Sequence, residues 1–324
     1  MEPFFSIISP SYNKSQYIID MVRSIKSQTF ENWELLIIDD ASTDATKEVL
    51  QHSGIEDGRI SIVYNHENKG ANYCRNQGLE LARSQHIIFF DADDLMTNDC
   101  LETRKKHMED APNNDMWIFN MGLFKREIGD VSASKYWIAP SADSDMTGDF
   151  LKHNIPWSIM QTVWKKRLLT SLNGFDLTFK KFQDVEMHTR ALIARPAIVT
   201  FPTLKPDVFY RIDEARKNFK AKEFYLRTVE ASTMYYQKFY PLLSCKVQQK
   251  QLTGTLFQPL ANICWQKRLK TISKEDYEIL KNNLISTCKI RQHRSILILY
   301  QQLESLSPVH PKGLKKIFQV ILGV

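Results

Sequence analysis

The chain has 324 residues, of which 43% are hydrophobic and 25% charged, with 11 glycines and 12 prolines. This composition excludes a disordered or collagen-like chain and indicates a large folded domain with a smaller appendage. Residues 215–324 contain 19 Lys and Arg against 6 Asp and Glu, whereas residues 1–214 contain 24 against 31. The basic part suits an anionic surface, although solvated helix faces are the simpler interpretation of such charges.

Apolar runs of strand length alternate with helical segments through the first hundred residues. Four nearly continuous runs predict strands that are covered on both faces, as in a parallel sheet. These runs are residues 4–9, 33–39, 60–65 and 86–91. The first run lacks the features of a signal peptide, so we interpret it as a buried strand. Apolar spacing predicts helices within 15–28 and 70–83, and Ser42 or Thr43 is placed to cap another helix.

This alternation predicts an α/β fold, a doubly wound sheet whose ligands bind beyond the carboxyl ends of the strands. Further strands are predicted at 116–121 and 158–164. From about residue 215 the pattern is helical, with breaks predicted near Pro241, Pro259 and Pro308.

We therefore expect a Rossmann-like domain over residues 1–214 and a helical, basic region over 215–324. No run of about 18 apolar residues occurs, so no membrane-spanning helix is expected. The five cysteines include no CxxC pair, which favours reduced thiols in a cytoplasmic protein.

Polar loops follow three of the four predicted strands. They are residues 9–13 (SPSYN), 39–44 (DDASTD) and 91–94 (DADD). Three carboxylates within four residues repel one another unless a cation joins them. Because Mg²⁺ takes one or two carboxylates together with substrate phosphates and water, the last loop predicts a metal site. A solvated acidic turn that caps a helix is the structural alternative.

The loop after the third strand brings a basic residue to the same edge of the sheet. Residues 68–78 read NKGANYCRNQG, and Arg75 is placed to answer phosphate charge. Taken alone, a surface arginine on the first turns of a helix is the better interpretation.

These four loops, in this order and spacing, resemble the inverting family 2 glycosyltransferases, whose fold is called GT-A. The resemblance covers residues 4–211, roughly two-thirds of the chain. It implies a Rossmann-like GT-A domain that transfers a sugar from a nucleotide-diphosphate donor, usually a UDP-sugar, to a hydroxyl acceptor. It also implies dependence on Mg²⁺ or Mn²⁺.

The resemblance assigns the donor-side residues one by one. Pro10 and Tyr12 lie where the family holds the nucleotide base, with Tyr12 placed to stack on it. Asp40, with its neighbour Asp39 as second choice, matches the aspartate that hydrogen-bonds the base. Arg75 matches a basic residue near the diphosphate.

The acidic loop matches the family's Asp-x-Asp signature, which meets the ribose and the metal. Asp91 and Asp93 form this signature, and Asp93 is the best single candidate for a metal ligand. Asp94 is placed to share the role, because some members of the family use an adjacent pair.

A second cluster resembles the acceptor side of the family. GFD at 174–176 precedes FQDVEMHTR at 182–190, where the family has a turn and then Glu-Asp at the start of a helix. The aspartate, here Asp184, serves as the general base. Its structural alternative is an N-cap of the helix. Gln183 departs from the family's glutamate, which removes a charge and should lower the pKa of the base slightly.

Two further residues receive roles from the resemblance. Trp157 borders the acceptor and is placed to stack on a sugar ring, whereas Trp164 and His188 are expected to be structural. Tyr210-Arg211 resembles a late Tyr-Arg segment whose loop closes over the diphosphate, which implies a phosphate contact for Arg211.

Other functions fit the loops less well. A sugar nucleotidylyltransferase shares the general fold but usually has a glycine-rich basic loop after strand one, and residues 9–14 contain no glycine. A dehydrogenase needs Gly-x-Gly-x-x-Gly there, which is absent. An inactive sugar-binding protein has no need of the carboxylates Asp40, Asp91, Asp93 and Asp184.

The expected partners are a nucleotide-diphosphate sugar and a carbohydrate or lipid-linked saccharide acceptor, with no nucleic acid. The resemblance favours bacterial surface-polysaccharide synthesis. The final segment, 311–322, predicts a peripheral contact with the inner face of the membrane, because an apolar helix face lies beside basic residues. The apolar residues are Leu314, Phe318, Ile321 and Leu322, and the basic ones are Lys312, Lys315 and Lys316. A helix that packs on protein is the alternative.

Overall fold

The computed structural model describes residues 2–52, 56–212, 221–306 and 313–324. The chain divides into two compact units. The first contains Met1–Ser144 and Pro156–Asp213, and the second contains Asp145–Ile155 and Glu214–Val324. The domain boundary predicted after residue 214 lies outside the described residues.

Strands and helices alternate in the first part of the chain, and helices fill the last. The strands are β1 (Phe5–Ser11), β2 (Trp33–Asp39), β3 (Ile60–Tyr64), β4 (His86–Phe89), β5 (Leu95–Met96), β6 (Met116–Ile118), β7 (Met121–Phe124), β8 (Thr162–Lys165), β9 (Ile198–Thr200) and β10 (Val208–Arg211). The helices are α1 (Ile18–Lys26), α2 (Thr46–His52), α3 (Ala71–Leu81), α4 (Cys100–Glu109), α5 (Met146–Leu151), α6 (Lys166–Ser171), α7 (Gln183–Ile193), α8 (Ala221–Phe239), α9 (Lys246–Gln251), α10 (Gly254–Arg268), α11 (Lys274–Thr287), α12 (Arg291–Leu306) and α13 (Leu314–Leu322).

The first unit contains a seven-stranded sheet with the order β3-β2-β1-β4-β8-β6-β9. The pairs β3-β2, β2-β1 and β1-β4 are parallel, which confirms the four predicted strands and their direction. All seven residues of β2 are buried, as expected for a strand covered on both faces. Helix α1 buries Ile18, Met21, Val22 and Ile25, the residues whose spacing predicted it.

The cap predicted for α2 is wrong in its residue. Ser42 Oγ donates to Asp39 Oδ2 at 2.6 Å and thus belongs to the turn after β2. Asp44, one residue before the N-cap position, binds the first turn instead, because its Oδ1 accepts from the Thr46 backbone N–H at 2.9 Å.

The strand predicted at 116–121 is two strands in different sheets. β6 joins the large sheet, whereas β7 joins a three-stranded sheet with the order β5-β10-β7. Buried Asn120 lies at the break, where its Nδ2 donates to Pro202 O at 3.1 Å and its Oδ1 accepts from Ala139 N at 2.8 Å. The prediction at 158–164 is correct only for its second half, because Ile159–Gln161 forms a 3₁₀ turn before β8.

The second unit is helical in all its named elements, α5 and α8 to α13. Pro241 follows α8 as predicted, but Pro259 lies inside α10. Burial of Leu256, Phe257 and Leu260 outweighs the roughly 3 kcal/mol that a mid-helix proline costs. Pro308 lies outside the described residues. No helix in the described part of the chain is both long and apolar enough to cross a bilayer.

Helix α13 packs within the second unit through two residues of the predicted apolar face. Phe318 and Leu322 are 3% and 1% exposed, and the Phe318 ring lies 5.2 Å from that of Tyr300 in α12. The exposed apolar residues are Ile317, Val320 and Ile321. The packing alternative therefore holds for Phe318 and Leu322. Ile321 of the predicted face stays exposed, next to Ile317 and Val320.

Candidate active site at the strand ends

The predicted loops leave the large sheet at the carboxyl ends of its parallel strands. Pro10 lies near the end of β1, and the ring of Tyr12, two residues on, is 43% exposed. An exposed aromatic ring beside a strand end is suited to stack on a nucleotide base. The structure thus leaves Tyr12 accessible for its predicted role.

Asp39 and Asp40 are both buried and tie loops together. Asp39 accepts from the Ser42 backbone N–H at 3.0 Å. Asp40 accepts from the backbone N–H groups of Lys69 at 3.0 Å and Gly70 at 2.7 Å, and Gly70 has a φ of +91°, which favours glycine. The carboxylate predicted to bind the base therefore also holds the loop that leads into α3.

Arg75 joins the donor-side and acceptor-side predictions. Its Nη2 donates to Asp91 Oδ1 at 3.0 Å and its Nη1 to Gln183 Oε1 at 3.1 Å. The side chain is 6% exposed, and its buried Nε has no hydrogen-bond partner within the described residues. The guanidinium is thus a fixed positive charge near the strand ends, where it would attract an anion.

The three carboxylates of the acidic loop have different protein partners. Asp91 binds Arg75 and keeps 34% of its side chain exposed. Asp93 Oδ2 lies 2.6 Å from Lys14 Nζ. Asp94 is fully buried, and its Oδ1 accepts from the Arg211 backbone N–H at 2.7 Å.

These partners reduce the number of carboxylates that are candidates for metal binding. In the parts of the chain that the structure describes, no three His, Cys, Asp or Glu side chains form a metal-binding group. Two carboxylates suffice for a cation that also binds substrate phosphates, and the carboxylate oxygens of Asp91 and Asp93 fit that role. Buried Asp94 instead anchors the loop through its Oδ1 and is less accessible to a metal than Asp91.

Arg211 lies beneath the acidic loop. Its Nε donates to the Asp93 carbonyl at 2.8 Å, and its guanidinium lies 4.7 Å from the Tyr17 ring centroid and 4.4 Å from that of Phe124. The side chain is only 6% exposed. In this conformation Arg211 holds the acidic loop in place. The predicted phosphate contact would require its guanidinium to leave the Asp93 carbonyl and the Tyr17 and Phe124 rings.

Asp184 lies in the first turn of α7, inside the helix and not at its N-cap. The N-cap is Phe182, which has a φ of 62°, an uncommon conformation for a bulky residue. Asp184 is half-buried, and its Oδ1 accepts from the Val185 backbone N–H at 3.0 Å. Burial raises the pKa of Asp184, and the charge of Arg75 acts in the opposite direction.

The turn before α7 is held by two asparagines of α3. Asn76 bonds both the N–H and the C=O of Phe175 at 2.7 and 2.9 Å, and Asn72 Nδ2 donates to the Asp176 carbonyl at 2.8 Å. A Cβ at Gly174 would lie 2.4 Å from Asn76 Oδ1, so the turn requires glycine. Sequence reasoning missed both asparagines, although their mutual spacing of four residues put them on one helix face.

Trp157 and Trp164 are fully buried. Their rings lie 5.6 Å and 5.1 Å from that of His188, and burial lowers the pKa of His188 to about 3, which keeps it neutral. The structural roles expected for Trp164 and His188 agree with this packing. Trp157 has no open face for a sugar in this conformation, contrary to the exposure that acceptor stacking requires.

The sheet order, the strand-end loops and the helical second unit define a Rossmann-like GT-A fold. The chain is similar over its full length to residues 1–349 of TarS from S. aureus, a structure solved in complex with UDP. The TM-score is 0.66 at 16% identity, with 92% of that chain covered. At this identity the likeness establishes the fold alone.

Residues 6–156, just under half of the chain, match the family model described as Glycosyl transferase family 2. It is 43% identical over 107 residues to the putative teichuronic acid biosynthesis glycosyltransferase TuaG of Bacillus subtilis (strain 168), which is 33% of this chain and 42% of that protein. It is also 43% identical over 98 residues to WfgD of Escherichia coli, "UDP-Glc:alpha-D-GlcNAc-diphosphoundecaprenol beta-1,3-glucosyltransferase", covering 30% of this chain and 38% of that one. The chain thus spans about two fifths of the curated relatives it matches first.

Proposed function

We propose that the chain is an inverting glycosyltransferase that uses a UDP-sugar, a hydroxyl acceptor and a divalent cation, Mg²⁺ or Mn²⁺. The observation that carries this proposal is the position of Arg75. Its guanidinium bonds Asp91 in the acidic loop and Gln183 beside Asp184. The Arg75 guanidinium thereby links the acidic loop, which is suited to a diphosphate, with the start of α7, which is suited to a general base.

Asp184 is the proposed general base. Inverting transfer is a single displacement, in which the acceptor oxygen attacks the anomeric carbon while its proton leaves. Asp184 takes that proton, because the residue is only half-buried and burial raises its pKa above that of an ordinary aspartate. The bond from the anomeric carbon to the diphosphate breaks with its electron pair on the leaving oxygen, and Arg75 balances the growing charge.

Asp93 and Asp91 are the proposed metal ligands. A divalent cation, when bound, stabilises the negative charge of a leaving diphosphate. The positive charge of Arg75 beside Asp91 supports a phosphate position at the same edge. Tyr12 and Asp40 would hold the base, and the UDP in the TarS structure and the UDP-Glc in the name of WfgD support uracil.

The proposed acceptor is a lipid-linked saccharide used in surface-polysaccharide synthesis. The names of TuaG and WfgD support this class, the first through teichuronic acid and the second through diphosphoundecaprenol.

Such an acceptor lies at a membrane, and α13 offers a matching surface. Ile317, Val320 and Ile321 are 57%, 80% and 55% exposed, and the chain from 215 onward has 19 basic against 6 acidic residues. We therefore assign α13 to an anionic lipid surface.

Transfer from labelled UDP-sugars to lipid-diphosphate-linked acceptors tests the proposal. We expect UDP release and a product of inverted anomeric configuration, read from its NMR coupling constant. Retained configuration would contradict single displacement. Consumption of UTP and a sugar phosphate, with no transfer from any UDP-sugar, would favour a nucleotidylyltransferase instead.

A further inference from the structure

Lys14 lies where a metal ion would have to bind. Its Nζ is 2.6 Å from Asp93 Oδ2, the carboxylate with the strongest claim as a metal ligand. The lysine is fixed through its main chain, because Lys14 N donates to Thr46 Oγ1 at 2.8 Å and Lys14 O accepts from Tyr17 N at 2.9 Å. The ammonium therefore reaches the acidic loop from a firmly placed backbone.

Lys14 and a divalent ion compete for the same oxygen. Mg²⁺ binds carboxylate oxygens at about 2.0–2.1 Å, so an ammonium hydrogen-bonded to that oxygen would lie close to the ion. The two cations repel each other. A metal therefore binds Asp93 Oδ2 more tightly after Lys14 moves.

The Lys14 side chain is able to move, but its charge then needs a partner. It is 25% exposed, against 5% for Asp93, and a lysine stem is flexible. A diphosphate at the strand ends would supply the anion that the displaced ammonium lacks.

We propose that Lys14 occupies Asp93 in the donor-free protein and transfers to the donor's diphosphate when the metal binds. This inference rests on the proposed function. Its consequence is that the metal and the nucleotide diphosphate each strengthen the other's binding, because linkage is reciprocal. Lys14 thus acts through Asp93 and prevents firm metal binding before the donor arrives.

Mn²⁺ binding to the full chain, read from the EPR signal of free Mn²⁺ with and without UDP, tests the inference. Without UDP, Lys14→Gln should bind Mn²⁺ about fivefold to tenfold more tightly than wild type, because the competing cation is gone. UDP should strengthen Mn²⁺ binding markedly in wild type and less in Lys14→Gln. Lys14→Arg keeps the charge and should keep the weak donor-free binding.

Lys47→Gln is the matched control, since Lys47 lies 5.3 Å over the Tyr64 ring and its loss should leave Mn²⁺ affinity unchanged. Equal donor-free affinity in wild type and Lys14→Gln would overturn the inference, and so would Mn²⁺ binding that survives Asp93→Asn. Failure of UDP to bind wild type with Mn²⁺ would instead contradict the proposed function, and the donor-free comparison would still decide the competition at Asp93. If Lys14→Gln loses its far-ultraviolet circular dichroism, Lys14→Met replaces it in the same comparison.

Discussion

Arg75 shows how one side chain links distant parts of the sequence into a site. Its partners Asp91 and Gln183 lie 16 and 108 positions away. The strand-end rule predicted that Arg75 and Asp91 share an edge, and the motif order predicted Asp184 there as well. The bond to Gln183 was not predictable, because it depends on how α7 packs beside α3. Lys14 was missed because a single lysine in a loop carries no pattern.

Replacement of Asp184 by Asn should separate catalysis from binding. We expect a loss of turnover of about 10²-fold or more, the range of a positioned general base, with UDP affinity retained. The raised folded-state pKa of Asp184 means that its ionised form is disfavoured in the fold. Asp184→Asn should therefore raise the melting temperature at pH 7, and this gain should disappear below the unfolded pKa of about 3.9. Collapse of UDP binding in this variant would make Asp184 a structural residue.

The pH dependence of turnover should report the same carboxylate. A base must be deprotonated, so turnover should fall as pH drops through the pKa of Asp184, which lies above that of an ordinary aspartate. Gln183→Glu adds a negative charge between Arg75 and Asp184, which should raise this pKa further and move the acidic limb to higher pH. An acidic limb that stays in place would show that residue 183 does not tune the base.

At the scale of elements, the second sheet delivers Arg211 beneath the acidic loop. β10 pairs with β5 and β7, and Arg211 ends that strand. The four parallel strands and their helices were predictable because their apolar runs are long and continuous. The division of 116–121 between two sheets was not, since it depends on buried Asn120 and its long-range hydrogen bonds.

The buried pair Arg104–Asp207 should be the main anchor between α4 and the segment that leads into β10. Arg104 Nε and Nη2 donate to the two Asp207 oxygens at 2.7 and 2.8 Å, and both residues are at most 5% exposed. Asp207→Ala leaves a buried charge unpaired and should cost about 3–5 kcal/mol in urea denaturation.

Two variants provide the controls for this anchor. Arg167 is 69% exposed and pairs with Asp115, so Arg167→Ala should cost less than about 1 kcal/mol. The double change Arg104→Met with Asp207→Leu should regain most of the loss, because no lone charge remains buried. Equal stability of Asp207→Ala and wild type would show that the pair contributes little.

At the scale of the molecule, acidic residues are in excess over residues 1–214 and basic residues over 215–324. Composition showed this division, and the residue pattern predicted the helical nature of the last hundred residues. It did not predict which face of α13 is exposed, because periodicity does not distinguish an apolar stripe that packs on protein from one that faces lipid. Phe318 and Leu322 pack within the second unit, whereas Ile317, Val320 and Ile321 remain exposed.

Flotation with anionic vesicles tests the assignment of α13. The full chain should float at low salt and less at high salt, since each lysine near an anionic bilayer contributes about 1 kcal/mol. A variant that combines Ile317→Ser, Val320→Ser and Ile321→Ser should float less. Val247 is 61% exposed in α9, and Val247→Ser should float like wild type. A chain ending at Ser307 would also lose the buried Phe318 and Leu322, so the serine variant is the cleaner comparison. If wild type stays in solution at low salt, α13 is only a packing element.

The most direct test of the account is calorimetric titration of UDP into the full chain with Mn²⁺, and with EDTA in its place. The account predicts binding that weakens about tenfold or more in EDTA and in Asp93→Asn, because a metal ligand is lost. It predicts unchanged binding in Asp184→Asn, whose carboxylate acts on the acceptor. UDP binding in EDTA or in Asp93→Asn that is as tight as in wild type with Mn²⁺, or absence of UDP binding to wild type with Mn²⁺, would contradict the account.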